Sequence, residues 1–178
     1  MNLDQLNLLF ALLALLALGG GIVTIAVGVA GRAGWVMSEA VRGAGSHLSV
    51  PIAWAVAATS MAGSLYYSEV AGFVPCTLCW YQRIAMYPLA LILLIAAIRK
   101  DNRTARWAGV PLAATGWGIS LYHYLLQVNP SWSGTACSAS VPCNFRWVSE
   151  FGFVSIPFMA LSGFTAIVAL LVVFAREA

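Results

Sequence analysis

Charge is scarce in this chain. Asp, Glu, Lys and Arg make up 8% of its 178 residues, where a soluble domain carries roughly 25%. So little polar surface cannot cover a water-soluble globule of this size. The net charge of +3 is small, and no basic stripe with interleaved aromatics occurs, so a nucleic-acid partner is set aside. Internal repeats, low-complexity segments and a polar domain are missing too. What fills the chain is apolar: 61% of its residues are hydrophobic, as in a membrane protein.

Five hydrophobic blocks, 6–30, 50–70, 80–98, 108–128 and 151–175, are each near the ~20 residues that cross a hydrocarbon core. Backbone polar groups in lipid must pair within their own segment, so the blocks predict helices and an all-α integral membrane fold. The second block opens on Pro51, which suits the first turn of a helix. The first begins "MNLDQLN", acidic where a signal peptide is basic, and it outruns a signal peptide's short apolar core. It reads as a spanning helix, and Gly19-Gly20-Gly21 within it suits a kink or a close helix contact.

Basic residues set the expected direction, because cytoplasmic loops collect Lys and Arg. The segment "RKDNRTAR" holds Arg99, Lys100, Arg103 and Arg106 and is expected in the cytoplasm. Alternation then puts Arg32, Arg42 and Arg176 on the same side, seven of the nine basic residues. The stretch 31–49 reads as a cytoplasmic loop. Residues 71–79 and 129–150 fall on the opposite, oxidising side, with the N-terminus outside and the C-terminus inside. Trp132, Phe145, Trp147 and Phe151 suit a segment at the level of the lipid headgroups.

Four cysteines fall as two close pairs, Cys76/Cys79 in "PCTLCWYQR" and Cys137/Cys143 in "SGTACSASVPC". Such pairs form structural disulfides, hold zinc, or exchange electrons. C-x2-C is a zinc half-site, but such sites mostly hold small soluble folds together, a task lipid performs here. Redox work has more support. Cys76 and Cys79 stand where a helix begins, and helix N-termini stabilise thiolates. Arg83 lies one turn beyond Cys79 on the same face, where its charge favours a thiolate at Cys79. An arginine near the bilayer edge either snorkels to the headgroups or serves a function. The small residues around Cys137 suit an open loop that a thiol partner can reach. A thiolate at the membrane face needs an electron acceptor within the bilayer, and a lipid-soluble quinone is the natural one. His123, in "LYHYLLQ", is either a satisfied helix histidine or a hydrogen-bond donor to a quinone carbonyl.

Together, "PCTLCWYQRIAMYPLALIL", "LYHYLLQ", the later cysteine pair and "FGFVSIPFMALSGF" resemble the disulfide bond formation protein B (DsbB) family over roughly residues 50–175. The resemblance implies a four-helix membrane bundle in the bacterial cytoplasmic (inner) membrane. It implies a thiol:quinone oxidoreductase that reoxidises a DsbA-like thioredoxin-fold dithiol oxidase and reduces ubiquinone or menaquinone. Cys76 and Cys79 match the quinone-proximal pair, with Cys79 the thiolate that engages the ring. Arg83 and His123 match residues at the quinone, and Cys137 matches the cysteine of the mixed disulfide, with Cys143 its mate. With only five residues between Cys137 and Cys143, the loop is similar to the short-loop, Gram-positive type. Whether the two pairs exchange through an inter-loop disulfide stays open on sequence grounds.

The expected organisation is an extra transmembrane helix and loop over 1–49 and a DsbB-like domain over 50–178. The catalytic set is Cys76, Cys79, Cys137 and Cys143. The alternatives are a metal-binding or scaffold protein with structural cysteines, or an enzyme like vitamin K epoxide reductase. In the latter family the loop cysteines precede C-x2-C, the reverse of the order here.

Overall fold

The structure is a computed structural model that describes residues 2–33, 39–132, 137 and 141–175, with no side chain described at 39, 40 or 42. Among the described residues, five long helices make the fold: α1 (Leu3–Arg32), α2 (Glu39–Leu65), α3 (Thr77–Arg99), α4 (Asn102–Val128) and α5 (Ile156–Val173). A π-helical turn, Tyr66–Val70, continues α2. The protein is an all-α membrane protein. Helices α1, α2 with its π turn, α3 and α5 are each long and apolar enough to cross a membrane. Helix α4 is less apolar. It returns beside α3 through the two-residue link Lys100-Asp101 and brings His123 to the level of Cys76, so it covers the same thickness.

Helix α1 starts at a capping box. The Asn2 side chain accepts from the Gln5 N–H at 3.1 Å, and the Gln5 side chain accepts from the Asn2 N–H at 3.3 Å. Asp4 in the first turn suits the positive end of the helix dipole. The acidic start of the sequence is therefore a helix start signal. Buried positions Asn7, Ala11, Ala14, Gly21, Thr24 and Gly28 form one stripe, which packs along α5. The triple glycine produces no break. At Gly21 it allows a close approach, since a Cβ there would sit 3.2 Å from the Ala166 backbone.

Three helix starts differ most from expectation. Helix α2 begins at Glu39, so 39–49 is helical rather than loop, and Pro51 lies inside the helix. A proline removes one backbone hydrogen bond, which a membrane helix tolerates. Helix α4 begins at Asn102, so most of "RKDNRTAR" is its first turn. Asp101 caps it, its carboxylate accepting from the Thr104 N–H at 3.0 Å and the Thr104 hydroxyl at 2.6 Å. Helix α5 begins at Ile156, not 151. Phe151 (φ 53°) and Gly152 (φ 78°) turn the chain back, and Glu150 and Val154 exchange two N–H···O bonds of 2.9 Å.

Helices α2 to α5 close on a core that includes Ala57, Leu89, Leu93, Ala113, Phe164, Ile167 and Leu171. One end of the molecule gathers most of the basic residues. There Gly28 meets Val173, Asn102 reaches the Ser46 carbonyl, and Arg32, Arg99, Lys100, Arg103 and Arg106 lie nearby in the chain. The cysteines lie at the other end. Arg176, and the residues flanking Cys137 from which an open loop was expected, lie outside the described residues.

Candidate functional site

Helix α3 begins on a cysteine. Cys76 is its N-cap residue, with extended backbone, and its sulfur accepts from the Cys79 N–H at 3.3 Å. The capping geometry brings the two sulfurs of this free pair to 2.8 Å. Cys76 is buried and Cys79 half-buried. The Cys76 thiol is held below the ordinary thiol range. Its hydrogen bond with Cys79 is the largest cause, His123 adds to it, and desolvation opposes it.

The second pair is a disulfide, Cys137–Cys143. Cys143 is only 2% exposed, whereas Cys137 is half-buried. The pair shares one apolar cluster with Cys76, Leu78 and Leu126. The Cys76 sulfur, the Cys143 sulfur and a His123 ring nitrogen all lie within 4.8 Å of one another. His123 Nε2 is 3.0 Å from the Cys143 carbonyl oxygen and 3.6 Å from the Cys76 sulfur. The loop is tied to the end of α4 twice. Gln127 donates to the Phe145 carbonyl at 3.2 Å, and Arg146 donates to the Gln127 carbonyl at 3.0 Å. Two sulfurs and an imidazole are zinc-type donors, but Cys143 is bonded to Cys137, and zinc takes thiolates.

Cys79 lies between two spaces. On the Cys76 side is a small one of about 20 Å³, lined by Cys76, Cys79 and His123. On the other side is a cavity of about 340 Å³ whose wall includes Cys79, Arg83, Tyr67, Tyr87 and Trp147. Arg83 Nε donates to the Ser64 hydroxyl at 2.9 Å, and a second N–H donates to the Ser64 carbonyl at 2.8 Å. Its guanidinium also lies 5.4 Å from the Trp80 ring centre. Stacked rings border the cavity, with Tyr67 to Phe73 at 5.5 Å and Phe73 to Trp147 at 4.8 Å.

The structure thus brings all four cysteines, Arg83 and His123 to one end of the bundle. Arg83 is anchored on α2 rather than extended to the headgroups. His123 was expected beside a quinone. It lies where the cysteine pairs meet and does not line the larger cavity. Sequence reasoning passed over Ser64 and Tyr67, because an ordinary serine and tyrosine gain these places only through packing between helices.

The family described as disulfide bond formation protein DsbB matches residues 46–175, which leaves α1 outside. Among curated proteins, the chain is similar to disulfide bond formation protein C of Bacillus subtilis (strain 168). The two are 49% identical over 116 residues, 65% of this chain and 83% of the relative. A probable disulfide formation protein of Oceanobacillus iheyensis is 51% identical over 126 residues, 70% of this chain and 86% of the relative. Probable disulfide formation protein C 1 of Bacillus anthracis is 50% identical over 117 residues, 65% of this chain and 83% of the relative. No solved structure matches.

Proposed function

The chain belongs to the disulfide bond formation protein DsbB family, and from that premise we propose how its cysteines work. It is a multi-pass membrane disulfide oxidoreductase. In the proposed cycle it takes two electrons from a reduced DsbA-like, thioredoxin-fold dithiol oxidase and passes them to ubiquinone or menaquinone. The observation that carries this reading is the placement of Cys79. It shares a hydrogen bond with Cys76, which lies within 4.8 Å of Cys143, and it also lines the apolar cavity.

The cycle starts with Cys76–Cys79 and Cys137–Cys143 both oxidised. A partner thiolate attacks Cys137, the more exposed cysteine of the pair, and Cys143 leaves as a thiolate. Cys143 attacks Cys76, and Cys79 leaves as a thiolate. The partner's second thiol then displaces Cys137, which closes the partner's disulfide. Cys137 attacks Cys143 and frees Cys76. Two electrons now sit on Cys76 and Cys79, with Cys137–Cys143 closed.

The cavity fits a quinone head. Its volume of about 340 Å³ falls within the ~300–1,000 Å³ of small-molecule sites. Its wall combines apolar side chains with a guanidinium, two phenols and a thiol, groups suited to a flat ring with carbonyl oxygens. A quinone held there would supply the acceptor for the two electrons and two protons released when Cys76 and Cys79 rejoin as a disulfide. Arg83, anchored on Ser64, holds positive charge at the same wall as Cys79. His123 orients Cys76 toward Cys143. Basic residues gathered at the far end favour a cytoplasmic position for that end and an extracytoplasmic one for the cysteines, in a bacterial cytoplasmic membrane.

Two double variants test the exchange path. Cys79→Ser/Cys137→Ser leaves Cys76 and Cys143, and mild oxidation is expected to join them. Cys79→Ser/Cys143→Ser leaves Cys76 and Cys137 and is expected to stay mostly unjoined. Equal yields on a non-reducing peptide map would contradict the path.

A further inference from the structure

Helix α1 contributes a wall to the cavity. Phe10, Leu13, Ala14 and Ala17 line it, at the i, i+3, i+4, i+7 spacing of one helix face. Across from them α2 contributes Ile52, Ala55 and Thr59. Leu13 and Ile52 line the cavity and are still 39% and 45% exposed. The cavity therefore opens between α1 and α2, toward what surrounds the bundle, which in a membrane is lipid.

Near the cysteines this opening is closed. Phe10 packs over Gly63, where a Cβ would come within 2.9 Å of its ring. Beside it, Tyr67 donates to the Asn7 side chain at 3.0 Å, and both residues are buried. A buried amide in an apolar helix needs such a partner, so this bond fixes the height and rotation of α1. The rest of α1 is held by α5. The cavity is at the small end of the ~300–1,000 Å³ of ligand sites, so a long apolar tail must leave it.

We infer that α1 and α2 frame a membrane-facing entrance, through which the apolar tail of a lipid-soluble ring compound leaves the cavity. Leu13 and Ala17 form one jamb and Ile52 and Ala55 the other. This rests on the proposed quinone site and assigns a role to a helix outside the family match.

The test compares binding of a tail-less quinone and a polyprenyl quinone to purified full-length protein in lipid nanodiscs. The readout is quenching of intrinsic tryptophan fluorescence. Leu13→Trp and Ile52→Trp place bulk in the opening. Leu16→Trp adds the same bulk to α1 on its 72% exposed face. The expected result is that Leu13→Trp and Ile52→Trp each reduce the preference for the tailed quinone by about tenfold, while Leu16→Trp keeps the wild-type preference. Equal preference in all variants would overturn the entrance and leave the quinone site standing. A wild-type protein that binds neither compound would overturn both.

Discussion

At the residue scale, the chemistry depends on which sulfur carries charge and what stands beside it. Cys76 has a lowered thiol pKa through Cys79 and His123. A group whose folded pKa lies below its unfolded value adds stability that is complete above the unfolded thiol range near pH 8.5. That contribution is lost as pH falls through the lowered folded pKa. Thiolate absorbance in the ultraviolet should therefore persist in protein with Cys76 and Cys79 reduced at pH values where an ordinary thiol is protonated. His123→Ala should move the midpoint upward, and an unmoved midpoint would deny His123 that influence. Arg83→Ala removes both hydrogen bonds to Ser64. It should weaken quinone binding by about tenfold or more while thiol exchange with the partner falls far less. Equal losses would tell against a role at the cavity. The cysteine pairs and Arg83 were legible in the sequence because their spacing is itself chemical information. Ser64 was not, because nothing near it in the chain announces that an arginine nineteen positions later will reach it.

At the element scale, the helices were legible from hydrophobic runs, and their ends were less so. Hydropathy follows lipid, while helix ends follow caps. Asp101 and Cys76 begin their helices through side-chain acceptors, and the Phe151-Gly152 turn delays α5. Packing between helices was legible only where glycines were conspicuous. Gly21 stands out within a triple glycine; Gly116 does not. A Cβ at Gly116 would fall on the buried Phe164 ring, so Gly116→Ala must displace that ring or the helix that carries it. It should destabilise the protein by about 1–3 kcal/mol, seen as a lower unfolding midpoint in detergent. An unchanged midpoint would mean that α4 and α5 pack less tightly than described.

At the scale of the whole molecule, most of the basic residues and the thiols lie at opposite ends, with Arg83 and Arg146 the basic residues at the thiol end. Five basic residues lie near one end and both cysteine pairs lie at the other. Sidedness follows as a prediction. A membrane-impermeant probe added to intact cells should label a cysteine introduced at Trp132, beside the thiol end, and spare one at Lys100. The reverse pattern would invert the proposed orientation. Composition alone gave the membrane class. That the two cysteine pairs share one side was legible; the contacts that bring them together were not, because they depend on Gln127 and Arg146 folding the second loop back onto α4.

The most direct test is anaerobic. Reduced DsbA-like partner and a soluble quinone are mixed with the purified protein, and quinone absorbance is followed. Quinone should be reduced in step with oxidation of the partner, and Cys79→Ser should abolish the reduction. Partner oxidation with no loss of quinone, or full quinone reduction in Cys79→Ser, would contradict a path that ends at Cys79.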